Sequence, residues 1–175
     1  QTVAVIGGGN VAIDSARTAV RFGAKEVHIV YRRTLEDMPA FADEIEEAVH
    51  EGIKFTFMAA PVKVVGEGKA TGLECTKSAP GDFDSSGRRR PVPIAGSNFV
   101  IEADVIIGAI GQSVGVDSVK GSEVKTNKGL ISVNQDLGTN VPYIFSGGDC
   151  VTGPDTAINA IAQGKQAASS IDKYL

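Results

Sequence analysis

Val3-Ala4-Val5-Ile6 is an unbroken apolar run, the pattern of a strand buried on both faces of a parallel sheet. Gly7 to Gly9 follow, and then the apolar period lengthens. Val11, Ala12, Ser15, Ala16, Ala19 and Val20 share one small-residue face of a helix predicted from Asn10 to Phe22, which Gly23 stops. Val27 to Tyr31 reads as a second strand, so residues 3–31 form a β-α-β unit of the usual length, about 30 residues. Pro39 suits the first turn of a second helix, which runs to Glu51 over Ile45, Ala48 and Val49 and stops at Gly52. Ile53 to Met58 is a third strand.

From Pro61 the period changes to two. Val62–Val65 and Gly72–Lys77 predict a hairpin across Gly66-Glu67-Gly68-Lys69. Residues 79–98, rich in Pro, Gly, Ser and Arg, predict a long exposed loop or an extended hairpin. Phe99 to Glu102 is a short strand, Ala103 to Ile110 a buried one, and Gly111 to Gly129 a connection. Leu130–Val133 and Tyr143–Ser146 read as two more strands, and Gly147-Gly148-Asp149 as a turn. A last helix is predicted from Thr156 to Leu175, with Ala157, Ile158, Ile161, Ala162, Ala168 and Ile171 on its buried side. The expected fold is α/β, Rossmann-like, with a parallel sheet and an antiparallel meander.

Composition narrows the class. Of 175 residues, 42% are hydrophobic and 22% charged, the balance of a soluble globular protein. Seventeen basic against 21 acidic residues give a net charge of −4, so no global field draws nucleic acid or an anionic membrane. No apolar stretch approaches the roughly 20 residues of a bilayer span, and no signal peptide is visible. Cys75 and Cys150 are far apart without a CxxC, which excludes an iron–sulfur or structural zinc site within the chain. A reduced, cytoplasmic protein is the expectation. A core strand starting at once after Gln1 suggests a piece excised from a longer protein.

Gly7-Gly8-Gly9-Asn10-Val11-Ala12 has the form G-x-G-x-x-A, placed between a strand and a helix. Gly7 allows the tight turn, Gly9 lets the backbone approach a pyrophosphate, and Ala12 keeps the helix close to the sheet. The helix N-terminus then directs free N–H groups and its positive dipole end at the phosphates. An NAD site usually puts Asp or Glu at the end of the second strand. Here Tyr31-Arg32-Arg33 stands at about that position. A carboxylate would repel a 2′-phosphate, whereas guanidinium forks bind it through charge-assisted bonds worth roughly 1.5–3 kcal/mol each. The ligand is therefore read as NADPH.

The string VAVIGGGNVAIDSARTAVRFGAKEVHIVYRRTLEDMPA resembles the small (beta) subunit of NADPH-dependent glutamate synthase and its relatives, which include dihydropyrimidine dehydrogenase. GRRRPVPIAGSNF at 87–99, AIGQ at 109–112 and GGDCVTGPDTAINAIAQGKQAA at 147–168 continue the likeness. The resemblance implies an NADPH domain inserted into an FAD domain. Residues 1–111 would be the NAD(P)H-binding domain and residues 112–175 an incomplete C-terminal segment of the FAD-binding domain. It implies that Gly8, Gly9, Asn10 and Val11 face the pyrophosphate and that Arg32 and Arg33 face the 2′-phosphate. Ala109, Ile110 and Gly111 would line the cofactor cleft. Asp149, after Gly148, would accept a hydrogen bond from the FAD ribityl chain, and the helix from about Thr156 and Ala157 would approach the flavin.

Departures from the family pattern set limits. No second βαβ fingerprint for FAD is present: Gly66-Glu67-Gly68 lacks the third small residue, and Gly108 and Gly111 are spaced wrongly. The cysteine-rich segment is absent, so any iron–sulfur cluster lies outside this chain. Glu36, Asp37 and Met38 stand where another basic residue often follows the arginine pair.

His28 and His50 read as structural, and Asp43, Glu44, Glu46, Glu47 and Glu51 as a solvated helix face. Arg88, Arg89 and Arg90 read as a solvated loop, with a partner-docking patch as the other possibility. Tyr143 and Tyr174 show no Y-x-x-x-K, so a short-chain dehydrogenase site is missing. No catalytic residue and no metal ligand is assigned. The expected function is the NADPH module of a flavin-dependent oxidoreductase, passing hydride from NADPH to FAD in the parent protein and inactive alone. Its expected partners are the remainder of the FAD domain and a large synthase or other electron-accepting subunit. The alternative is a non-catalytic nucleotide-binding or regulatory module.

Overall fold

In the computed structural model, which describes residues 1–175, the first apolar run is strand β1 (Thr2–Ile6), whose side chains alternate between two cores. Val3 and Val5 join one core with Ala12, Ile13 and Ala16 of helix α1 (Asn10–Arg21). Ala4 joins a second core with Leu73, Cys75 and Ala103. Both faces being covered explains why the run carries no polar residue. Strand β2 (Glu26–Val30) repeats the alternation, with Ile29 in the first core and Val30 in the second.

Helix α2 (Ala42–His50) and strand β3 (Lys54–Thr56) follow. An antiparallel meander comes next: β4 (Ala59–Val65), β5 (Gly72–Phe83) and β6 (Arg89–Glu102). Strand β7 (Val105–Gly108) then returns to the first sheet. That sheet is parallel, in the order β3-β2-β1-β7, and the meander pairs β4-β5-β6. The layers of residues 1–111 are helices, parallel sheet and meander, so the expected α/β fold is observed.

Several local expectations change. Helix α2 starts at Ala42 rather than at Pro39, because residues 39–41 are tied to the glycine turn. Ala40 N–H donates to Gly8 O (3.2 Å) and Phe41 N–H to Asn10 Oδ1 (2.9 Å). The acids of α2 are not all solvated: Arg17 of α1 holds Glu44 at 2.7 Å and Glu51 at 2.8 Å, and Arg21 also binds Glu51. Residues 79–98 form the extended hairpin. Strand β7, expected to be buried, is an edge strand with one neighbour and Val105 partly exposed.

The chain divides into two compact units, Gln1–Gly111 and Gln112–Leu175. The second has a 3₁₀ turn (Asp117–Val119) and a two-residue ladder of β8 (Thr126–Asn127) with β9 (Leu130–Ile131). Helices α3 (Asp149–Thr152) and α4 (Ala157–Tyr174) complete it. The strand expected at Tyr143–Ser146 does not form; Phe145 makes one isolated bridge to Gly138. The Gly-Gly-Asp turn runs directly into α3. The apolar side of α4, expected to be covered, is open: the helix has no buried residue, with Ile158 69% and Ile161 55% exposed. No helix is long and apolar enough to cross a membrane.

Candidate functional site

Strand order reverses at β1, which has β2 on one side and β7 on the other. In open parallel sheets ligands bind beyond the carboxyl ends of the strands at such a point. The glycine turn lies there. Gly7 N–H donates to Val30 O (3.1 Å), and Ala109 N–H donates to Ile6 O (2.8 Å), so the ends of three strands meet around Gly7. Gly7 has φ +146°, and a Cβ on it would lie 2.2 Å from Ala109 O. Gly8 packs on the Tyr31 ring, which a Cβ would meet at 2.5 Å. Gly9 differs: its φ is −94°, and the nearest atom to a Cβ is Pro39 Cγ at 3.9 Å. Its surface is open to a ligand.

Gly9 is also the N-cap of α1, and no side chain caps that end. The N–H groups of Asn10 and Val11 have no acceptor in the chain, so they and the helix dipole are available to an anion. Val11 is exposed, and Ala12 is fully buried against the sheet. The Asn10 side chain is held beside the turn by Phe41 N–H, which donates to its Oδ1.

The arginine pair divides. Arg32 is exposed. Arg33, expected to face a 2′-phosphate, is 6% exposed and donates through Nη2 to Asp84 Oδ2 at 2.7 Å. The Ser86 hydroxyl, foremost, and the Arg33 guanidinium hold the Asp84 carboxyl far below the usual carboxylate range. Tyr31 is buried, and its hydroxyl donates to Asp37 O (2.9 Å). Burial pushes the Tyr31 phenol up, against the nearby charges of Arg88 and Arg33.

At the end of β7, Ile110 is 80% exposed and Gly111 has φ +96°. Three clusters far apart in sequence, Gly7–Ala12, Arg32–Arg33 and Ala109–Gly111, thus leave the same end of adjacent parallel strands.

In the second unit, Gly148 (φ +77°) is the N-cap of α3, and its N–H donates to Gln163 Oε1 at 2.6 Å. Asp149 is exposed, and its Oδ1 accepts from Asp155 N–H (3.3 Å). Thr156 caps α4 in position only, without a side-chain bond, and Ala157 is exposed. Cys75 lies in the second core, where burial pushes its thiol up to about 11.

The residues that sequence reasoning missed are Asp84, Ser86 and the placement of Arg88. An Asp at the start of a turn with Gly three positions later, as in Asp84-Ser85-Ser86-Gly87, is a turn signature that marks the hairpin tip. Nothing local to it announces the pairing with Arg33, 51 residues away.

Residues 1–164 match the pyridine nucleotide-disulphide oxidoreductase family. The chain is 46% identical to the NADP(+)-dependent formate dehydrogenase subunit beta of Moorella thermoacetica, over 100% of this chain and 25% of that protein. It is 38% identical to the glutamate synthase (NADPH) small chain of Escherichia coli, over 99% of this chain and 38% of that one. It therefore spans well under half the length of either relative. Thioredoxin reductase from T. acidophilum superposes with a TM-score of 0.78 at 24% identity, over 98% of this chain and 52% of that one, which shows a shared fold. The likeness to the glutamate synthase small subunit and its relatives is borne out, and the chain belongs to the pyridine nucleotide-disulphide oxidoreductase family.

Proposed function

We propose that this chain is the NADPH-binding module of a flavin-dependent oxidoreductase, with residues 1–111 holding NADPH and residues 112–175 contributing to an FAD-binding domain. The observation that carries this reading is the convergence of the three clusters at one end of the parallel sheet, around the reversal of strand order. Gly9 leaves room for the backbone to meet a pyrophosphate, and the Asn10 and Val11 N–H groups with the α1 dipole neutralise it. Arg32 offers its fork to the 2′-phosphate. Ala109, Ile110 and Gly111 form the opposite wall. The NADP(+)-dependent and NADPH-using relatives support the choice of dinucleotide.

Bound NADPH and FAD together supply hydride transfer; the chain supplies binding and orientation. No side-chain acid or base is needed for that step, and none is assigned. Gly148, Asp149, Thr156 and Ala157 would meet FAD: the exposed Asp149 carboxylate can accept from a neutral hydroxyl, and the α4 N-terminus carries no side-chain cap. The open apolar residues of α4 support a cover from the rest of an FAD domain. Relatives that are subunits support an electron-accepting partner subunit, with any iron–sulfur cluster outside this chain.

The test uses the intact protein. NADPH should raise its melting temperature and bleach its flavin band anaerobically, with NADH about tenfold weaker or worse. Arg32→Ala should shrink the difference between the two. Indifference to every dinucleotide would reduce the glycine turn to a structural element.

A further inference from the structure

The β5–β6 hairpin belongs to the meander, yet its tip is bound to the loop that follows β2. Asp84 accepts from Arg33 Nη2 at 2.7 Å, and Arg89 N–H donates to Asp37 Oδ1 at 3.2 Å. Asp84 also accepts from the Ser86 N–H (2.8 Å) and hydroxyl and from Arg88 N–H (3.3 Å), so its carboxylate organises the whole tip.

Those contacts change the charge available to a phosphate. Arg33 is buried and engaged, which leaves Arg32 as the outward cation of the pair. A phosphate monoester carries about −1.5 to −2 at pH 7, more than one guanidinium neutralises. The buried Arg33 Nη1 has no acceptor in the chain. An unpaired buried N–H is costly, and a nearby anion relieves it.

The three arginines of the tip have different surroundings. Arg89 lies over the Phe83 ring at 4.6 Å. Arg90 is exposed without an ionic partner. Arg88 is half-buried: its Nε donates to Ser86 Oγ at 2.9 Å, and its charge lies beside the Tyr31 hydroxyl. Tyr31 packs its ring on Gly8 of the glycine turn. The Arg88 charge, held at the tip by Ser86, thus lies next to the residue that joins that turn to the arginine pair. Two acids nearby are engaged, Asp84 by Arg33 and Ser86, and Asp37 by the Thr34 hydroxyl (3.0 Å) and Arg89 N–H, while Glu36 is exposed.

We propose that the hairpin tip is the outer wall of the 2′-phosphate site, with Arg88 as its second cation beside Arg32, and with Arg33 and Asp84 as positioning residues that hold the tip there. The proposal rests on the NADPH reading above. It assigns dinucleotide selectivity partly to an element outside the βαβ unit.

The experiment titrates the intact protein with 2′,5′-ADP and with 5′-AMP by calorimetry. Arg88→Ala should weaken 2′,5′-ADP about tenfold or more and leave 5′-AMP within about twofold. Arg90→Ala should change neither. Asp84→Asn should produce the same selective loss, and Asp84→Asn with Arg88→Ala should lose no more than Arg88→Ala alone. A purely structural Asp84 would instead add its loss and weaken 5′-AMP too, which would overturn its positioning role. A wild-type ligand preference retained in Arg88→Ala would overturn the proposal. If the wild type itself shows no preference for 2′,5′-ADP, the NADPH reading falls first. If it shows one that Arg32→Ala abolishes and Arg88→Ala spares, only the hairpin proposal falls.

Discussion

Gly7 and Gly9 stand two residues apart in one turn, but alanine at each should fail in a different way. At Gly7 the backbone has φ +146°, which strains an L-residue, and a Cβ would lie 2.2 Å from Ala109 O and 2.9 Å from Ala109 C. These are backbone atoms of the residue that follows β7, hydrogen-bonded to Ile6, and they cannot swing aside as a side chain would. A normal carbon–oxygen contact is about 3.3 Å or more, so the ends of β1 and β7 must part by roughly 1 Å. That opening also strains the Ala109 N–H bond to Ile6 O. Backbone strain of about 1–3 kcal/mol and overpacking of about 1–3 kcal/mol give a loss of roughly 2–6 kcal/mol. This is a large part of the 5–15 kcal/mol of a typical domain.

At Gly9 the backbone conformation suits any residue, and the nearest atom to a Cβ is 3.9 Å away. Alanine caps a helix less well than glycine, by several tenths of a kcal/mol. It also restricts the unfolded chain, a gain of about 0.4–1 kcal/mol. The two nearly cancel, so Gly9→Ala should fold within about 1 kcal/mol of wild type. The added methyl faces the open side of the turn, the place proposed for the pyrophosphate, and should weaken NADPH at least about tenfold. Urea unfolding followed by far-ultraviolet circular dichroism measures the first effect, and calorimetric titration the second. Equal destabilisation by the two variants, or wild-type NADPH affinity in Gly9→Ala, would refute the reasoning.

Two other outcomes follow from the ionisable groups. Hydrogen bonds from Arg17 and then Arg21 hold Glu51 at about 2 in the folded chain against 4.5 for a free carboxyl, so its contribution is full above about 4.5 and disappears as pH falls to about 2. Glu51→Gln should therefore lower stability at neutral pH and flatten the acid limb of a melting-temperature profile; an unchanged acid limb would contradict the α1–α2 clamp. Cys75, buried with its thiol at about 11, should resist iodoacetamide at pH 8 in the folded protein, while the half-buried Cys150 is alkylated first, as peptide mass spectrometry would show.

The β1-α1-β2 unit is legible in the sequence because two periodicities change at Gly7–Gly9 and at Gly23, and each matches a surface that must be buried. Alternation of Val3 and Val5 against Ala4 places the strand between two cores without any long-range information. Legibility fails where burial depends on what lies alongside. Tyr143–Ser146 has strand propensity, but that unit offers it only Gly138 as a bridge partner. Helix α4 has a helical apolar stripe, yet no element of its unit buries Ile158 or Ile161. The strand at β7 has a buried composition and an edge position. In the candidate site, the glycine turn and the exposure of Arg32 follow from local pattern. The capture of Arg33 by Asp84 does not, because a surface-looking arginine and a turn aspartate carry no mark of each other across 51 residues.

Tyr31 links those distant residues. Its ring fixes what can stand at Gly8, since any Cβ there would meet the ring at 2.5–2.8 Å. Its hydroxyl holds the loop at Asp37, whose carboxylate in turn receives Arg89 N–H from the hairpin. Its backbone joins the two layers: its N–H donates to Thr56 O of β3, and its O accepts from Ala59 N–H of β4. The hairpin tip and the glycine turn are thus linked through one aromatic side chain with only two rotatable bonds. The proposed pyrophosphate and 2′-phosphate contacts, although they come from separate stretches of chain, would share a single support, and the meander would be part of it.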